Sequence, residues 1–183
     1  GYPVTFKLAD AEAPPIGLDP FSPGGFNTKG SEANAMLDHT EAVAGSEVWA
    51  GVQWKLREHW HLFWKDPGMP GLPPEFHWTL PEGITASVIH WPKHKRMEIL
   101  EQMGNVYEGE VMLLAPLTVN KSVAPGDYEI GLKVDWQECY ETCEQHSKEF
   151  TLTLKVAAEA QLSEHASAIK EWHAKVPDAP ANA

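Results

Sequence analysis

The sequence predicts an all-β fold: an immunoglobulin-like antiparallel β-sandwich with an irregular N-terminal arm and a C-terminal helix. Three observations carry this expectation. Apolar residues alternate with polar ones in short runs, most clearly at Val48, Ala50, Val52, Trp54 and Leu56, the period-two pattern of a half-buried strand. Turn residues punctuate the chain at intervals of about 8–12 residues, the spacing of a sandwich. Helical spacing is confined to one stretch near the C-terminus, where Ala168, Trp172 and Lys175 recur.

Each element follows in order. Residues 1–34 open with a short strand-like run, 4–8, and then carry Pro14, Pro15, Pro20, Pro23, Gly24, Gly25 and Gly30, which reads as an irregular arm. Residues 35–43 alternate loosely, a turn falls at Ala44-Gly45-Ser46, and residues 47–56 form the clearest strand. Residues 60–65 continue the sheet after a bend. Pro67, Pro70, Pro73 and Pro74 fix φ and remove four amide donors, so residues 66–74 are neither helix nor central strand. Short strands follow at 75–80 and 85–91. Residues 93–105 read as a polar connection, with Lys93, His94, Lys95 and Arg96 as a solvated basic cluster. Strands at 110–119, 128–136 and 150–156 complete the set. Ser163 is the expected N-cap of a helix over 164–175, and residues 177–183 read as a linker. The resulting organisation is an arm over 1–34, a sandwich domain over 35–157, and a helix with linker over 158–183.

Composition narrows the function classes. The 183 residues suit one domain, and 43% hydrophobic residues with eight Trp indicate a folded globular chain. A net charge of −12 disfavours nucleic acid and anionic membrane surfaces, which need basic patches. No run approaches 18 apolar residues, so this segment does not insert into a bilayer. Gly1-Tyr2-Pro3 lacks the basic and apolar regions of a signal peptide, so the chain is expected to be a mature form or a piece of something longer. No motif calls for a cofactor.

The chemistry concentrates in one place. Cys139 and Cys143 are the only two cysteines, and they follow a strand-like run directly. Such a pair serves as a static disulfide, as an exchanging dithiol, or as half of a metal site. A bridge between them closes a five-residue loop worth only about 2 kcal/mol by loop entropy, and a domain of this size does not need so small a staple. A short bridge near solvent exchanges readily. The competing metal reading takes Cys139, Cys143 and His146 as zinc or Cu(I) ligands, with a fourth from His59, His61, His90 or His94. The third reading is a non-catalytic interaction module with a structural bridge. Asp135, Glu138, Glu141 and Glu144 surround the pair in sequence, and carboxylates disfavour a thiolate, so a weakly activated thiol is expected. His146 reads as a solvated turn residue, His59 and His61 as polar-face or strand-end residues, and the tryptophans as core rather than a sugar-binding platform. Tyr107 and Tyr140 either flank the sulfurs or pack on the sandwich.

Three stretches together resemble one family. Trp60-His61-Leu62-Phe63-Trp64-Lys65-Asp66-Pro67-Gly68 with Gly71-Leu72-Pro73-Pro74 is similar to a "GWHTYWxNPGxxGLPP" run. Val106-Tyr107-Glu108-Gly109-Glu110-Val111 resembles "YxYEGEV", and Val134-Asp135-Trp136 with Cys139 and Cys143 resembles "xxWxxCxxxC". The family is the N-terminal periplasmic domain of the transmembrane thiol:disulfide reductases, the DsbD group, especially its ScsB-like branch. The resemblance spans roughly residues 35–156. It implies an immunoglobulin-like redox domain that takes reducing equivalents from the membrane and thioredoxin-like domains of the same protein. It would pass them to thioredoxin-fold periplasmic proteins, as the soluble part of an inner-membrane protein. It also implies that Cys143 meets the partner, that Cys139 resolves, and that a cap loop over residues 101–105, with Met103 and Gly104, lies over the pair; Tyr107, Trp136 and Tyr140 are the expected flanking residues. The chain departs from the family in offering Met103 where better-studied members have an aromatic residue. It has Glu144-Gln145 where ScsB-like members often have Ile-Pro.

Overall fold

In the computed structural model the described residues are 31–177. The expected strand at 4–8 and nearly all of the arm, and residues 178–183 of the linker, lie outside them. Twelve strands and one helix follow: β1 Glu32–Leu37, β2 His39–Ala42, β3 Glu47–Lys55, β4 His61–Phe63, β5 Glu75–Thr79, β6 Ile84–Ala86, β7 Lys95–Ile99, β8 Gln102–Tyr107, β9 Glu110–Val119, β10 Gly126–Cys139, β11 Cys143–Val156, β12 Gln161–Leu162 and α1 Ala166–His173. One sheet has the order β1-β3-β9-β6. The other runs β12-β2-β11-β10-β4-β8-β7, with β5 also pairing on β10. All pairings are antiparallel except β2 with β11, where Lys155 faces Glu41 and Val156 faces Ala42. The expected immunoglobulin-like β-sandwich is the fold.

Alternation explains the layers. In β3, Val48, Ala50, Val52 and Trp54 are buried between the sheets, as their spacing requires. In β10 the same row is Ile130, Leu132, Val134 and Trp136. One half of the core gathers Val48, Leu117, Ile130 and Leu154. The other, nearer the cysteines, gathers Trp54, Leu62, Leu113, Val134 and Trp136. The outer face of the four-stranded sheet is also covered: Met36, Met112 and Leu114 pack against Ile169 of α1. Gly51 permits that approach, since a Cβ there would lie 2.7 Å from the Met112 sulfur.

Three expectations are corrected. Residues 35–43 are not one strand. The chain changes sheets at Asp38, whose amide donates to the Trp49 carbonyl at 2.9 Å while its carboxylate accepts the Trp49 amide at 2.8 Å. Residues 93–105 are not a mere polar connection but hold most of the β7–β8 hairpin, with Lys93, Lys95 and Arg96 exposed. Its turn uses Leu100 (φ 48°) and Glu101 (φ 64°), left-handed positions that normally advertise themselves as Gly or Asn. The helix begins at Ala166 with His165 at the N-cap. Ser163 instead donates to the Leu37 carbonyl at 2.5 Å and accepts the His165 amide at 3.0 Å, tying the helix to β1.

Candidate redox site

β10 and β11 run further toward each other than their hydrophobic patterns suggest, and their ladder closes on the cysteines themselves. Cys139 and Cys143 are the last register pair, and a disulfide joins them across a Cα–Cα distance of 4.2 Å. Tyr140, Glu141 and Thr142 form the turn, where the Tyr140 amide donates to the Thr142 carbonyl at 3.0 Å. The two sulfur-bearing residues differ in environment. Cys139 is 0% exposed, whereas Cys143 is exposed.

Cys139 is enclosed by β4 and the β7–β8 hairpin. Phe63, Ile99 and Val106 are buried around it, with Met69 and Met97 packed at the edge. The proline-rich loop 64–74 braces this enclosure. Its Leu72 amide donates to Gln137 Oε1 at 3.0 Å, Asn105 Nδ2 donates to the Asp66 carbonyl at 2.9 Å, and Gly71 rests on the Phe63 ring. The residues expected to form the cap divide. Gly104 is buried against Met69. Met103 is 47% exposed and pairs with Glu98, one register step from the Met97–Gly104 pair and so on the opposite face of the hairpin. Met97, on the other face, is the side chain that packs with the Cys139 cluster.

The flanking aromatics also divide. Trp136 is buried, edge-on to Trp54 at 5.8 Å and stacked on His146 at 5.3 Å. Tyr107 is buried, and its hydroxyl donates to the Pro92 carbonyl at 2.7 Å; burial pushes its phenol up from the ordinary value. Tyr140 is 42% exposed and stacks on His59 at 5.5 Å.

A buried charged cluster lies directly behind the pair and escapes a reading by sequence proximity. Glu138 continues the core row of β10 and is 0% exposed. Arg57 Nη2 lies 3.0 Å from Glu138 and 2.7 Å from Glu144. His146 Nε2 lies 2.9 and 3.2 Å from the same two carboxylates. Ser31 donates a hydrogen bond to Glu138, and the Arg57 guanidinium stacks 3.6 Å over Trp60. Burial alone raises the Glu138 carboxyl, but hydrogen bonds from His146 and Ser31 and the nearby His146 and Arg57 charges outweigh it and hold it below the ordinary value. His146 is therefore not a solvated turn residue: it is buried in β11. Two of the four carboxylates expected to repel a thiolate are instead engaged by Arg57. The signal that marks Glu138 is the alternation of β10, carried one step past Trp136.

The arrangement bears on metal as well. His146 pairs with Trp136 and so lies on the core face of the hairpin, opposite to the face of Cys139 and Cys143; the three residues of the metal reading do not converge. Glu138, Glu144 and His146 do offer ligand atoms within 4.8 Å of one another, but Arg57 already supplies a cation to both carboxylates.

Residues 33–155 match the family described as the N-terminal domain of the thiol:disulfide interchange protein DsbD. The chain belongs to this family. The DsbD N-terminal family carries thiol:disulfide interchange, and the Cys139–Cys143 disulfide at the hairpin end is consistent with that chemistry. Among solved structures, the chain is similar to the N-terminal periplasmic domain of ScsB from Proteus mirabilis, with a TM-score of 0.61 and 18% identity, over 82% of this chain and 56% of that one. The chain thus spans little more than half of that domain. Weaker likenesses reach a family 123 glycoside hydrolase from Clostridium perfringens (TM-score 0.41, 11% identity, 68% of this chain and 27% of that one). They also reach the reduced DsbD N-terminal domain of Neisseria meningitidis (TM-score 0.36, 17% identity, 67% and 86%). No curated protein sequence matches the chain significantly. Among the described residues, no helix is long and apolar enough to cross a membrane.

Proposed function

We propose that this domain relays reducing equivalents through Cys139 and Cys143, from the membrane-embedded and thioredoxin-like parts of its own reductase to oxidised thioredoxin-fold proteins of the periplasm. Residues 35–157 form the exchange module in this reading, with residues 1–34 as an arm and 158–183 as a helical flank and linker. The single observation that carries the assignment of roles is the unequal exposure of the pair. A partner disulfide reaches a sulfur at the open Cys143 and not at the enclosed Cys139.

Exchange then runs in two displacements. The Cys143 thiolate attacks one sulfur of the partner disulfide, forming a mixed disulfide and releasing the partner's second sulfur as a thiolate, which takes up a proton. Cys139 next attacks the Cys143 sulfur, reforming the internal bridge and expelling the partner's first sulfur with its electron pair. The domain loses two electrons and the partner disulfide gains them. Exposed apolar side chains on the bordering segments, Leu72, Leu100, Met103 and Tyr140, support docking by an apolar partner surface.

Trapping tests the reading. Reduced Cys139→Ser retains the attacking sulfur but cannot resolve, so it accumulates a mixed disulfide with an oxidised thioredoxin-fold protein, visible by non-reducing electrophoresis and mass. Reduced Cys143→Ser is expected to trap at least about tenfold less, since a buried thiol reacts slowly. Equal trapping by both variants, or trapping through Cys139 alone, would overturn the assignment.

A further inference from the structure

The second displacement poses a chemical problem. In the reduced domain Cys139 carries a thiol enclosed by Phe63, Ile99 and Val106, and apolar burial disfavours its ionisation. Only the thiolate attacks. A group that takes the proton at the moment of attack has to lie on the same face of β10, within the enclosure.

Among the described residues, one side chain meets that requirement. His61 of β4 stands directly opposite Cys139 in the β4–β10 pairing. Side chains of such a pair share a face, with Cβ atoms about 4.5–5.5 Å apart. His61 is 7% exposed, and its Nδ1 is buried with no hydrogen-bond partner among the described residues. Nε2 points toward Glu108 at 3.8 Å, whose other oxygen binds Lys95 at 2.6 Å. His59 adds a weak positive influence from the preceding turn, while Glu138 and Arg57 sit on the far face of the β4–β10 pair. Burial lowers the His61 pKa from its ordinary value, against the opposing pull of the Cys139 backbone carbonyl near the ring and of the Glu108 charge. The ring is thus neutral and able to accept a proton at neutral pH.

We propose that His61 is the proton acceptor for Cys139 during resolution of the mixed disulfide, an inference that rests on the exchange role of the pair. The Cys139 S–H bond breaks and its proton passes to the imidazole. The sulfur attacks Cys143, and the Cys143–partner bond breaks with its electron pair leaving on the partner sulfur. The imidazolium then returns its proton to solvent. In the opposite direction, when an upstream thiolate attacks Cys143, the same proton is delivered to the departing Cys139 sulfur.

The test uses the reduced protein and excess 5,5′-dithiobis(2-nitrobenzoate). A first chromophore release reports attack by Cys143 and scales with reagent concentration. A second, reagent-independent release reports resolution by Cys139. His61→Gln is expected to slow the second release about 100-fold at neutral pH, while His77→Gln, an exposed histidine on β5, leaves both unchanged. The pH profile separates proton transfer from mere support of the fold. The wild-type second rate is level between about pH 6.5 and 8 and falls only as the imidazole protonates below that range. In His61→Gln it rises about tenfold per pH unit across the same range, following the thiolate fraction. Should the variant fail to fold, the wild-type profile decides alone: a tenfold rise per unit between pH 6.5 and 8 overturns the proposal. A folded His61→Gln within twofold of wild type also overturns it. Absence of any reagent-independent release in the wild type instead overturns the exchange role of the pair.

Discussion

Glu138 and Cys139 are adjacent in sequence and face opposite sides of the same strand. The strand's alternation sends Glu138 into the sandwich, where it is shielded from solvent and an isolated carboxylate is costly. Arg57, His146 and Ser31 converge on it, so it stays ionised at the cost of three fixed partners. This buried pair clamps the end of β10, against which the disulfide is set. Glu138→Ala leaves the guanidinium and imidazole behind the pair with only the half-exposed Glu144 as shared acceptor, and breaking a buried ion pair in this way costs about 3–5 kcal/mol. Urea denaturation of the oxidised protein is expected to show that loss; a change below about 1 kcal/mol would mean that Arg57 and Glu144 alone hold the cluster. Glu138 was legible as an inward residue from the spacing of Ile130, Leu132, Val134 and Trp136. Its partners were not, because Arg57 and Ser31 lie 81 and 107 residues away in the chain, and nothing local announces a contact made only by tertiary packing. His61 was missed for a related reason: its significance depends on which strand β4 pairs with.

At the scale of elements, the enclosure of Cys139 is assembled from β4, the β7–β8 hairpin and the proline-rich loop. The loop's prolines made its irregular course plain in the sequence, and the alternation of β3, β9 and β10 made those strands plain. The hairpin was hidden because its turn, Leu100-Glu101, holds left-handed backbone without glycine or asparagine. Its Lys95 and Arg96 are exposed, as in a solvated loop, and yet belong to a strand. Knowledge of the hairpin reassigns the shielding: Met97 and Ile99 face Cys139, and Met103 faces away. The loop's contribution is testable at Gly71. A Cβ at this position would lie 2.7–2.9 Å from the Phe63 ring carbons, and that ring is itself wholly buried against Cys139. Gly71→Ala is expected to cost about 1–3 kcal/mol through overpacking and to speed alkylation of Cys139 in the reduced protein, measured by mass. Unchanged alkylation with full destabilisation would show that Phe63 shifts without opening the enclosure.

Across the whole molecule, the sandwich works as a rigid mount. Two sheets share a continuous core, α1 seals the outer face of the smaller sheet through Ile169, and the longest hairpin carries the cysteines at its tip. The tip presents one sulfur-bearing residue to solvent and withholds the other. This asymmetry suits ordered exchange, in which one sulfur meets partners and the second resolves, better than it suits a staple worth only about 2 kcal/mol. The bridge is made to be broken, and an equilibrium redox titration of the Cys139–Cys143 pair in metal-free buffer, read by thiol alkylation and mass, measures this. A relay requires a midpoint between about −250 and −180 mV, among exchanging dithiols. A midpoint below about −300 mV, where structural disulfides lie, would make the bridge a structural one and exclude the relay.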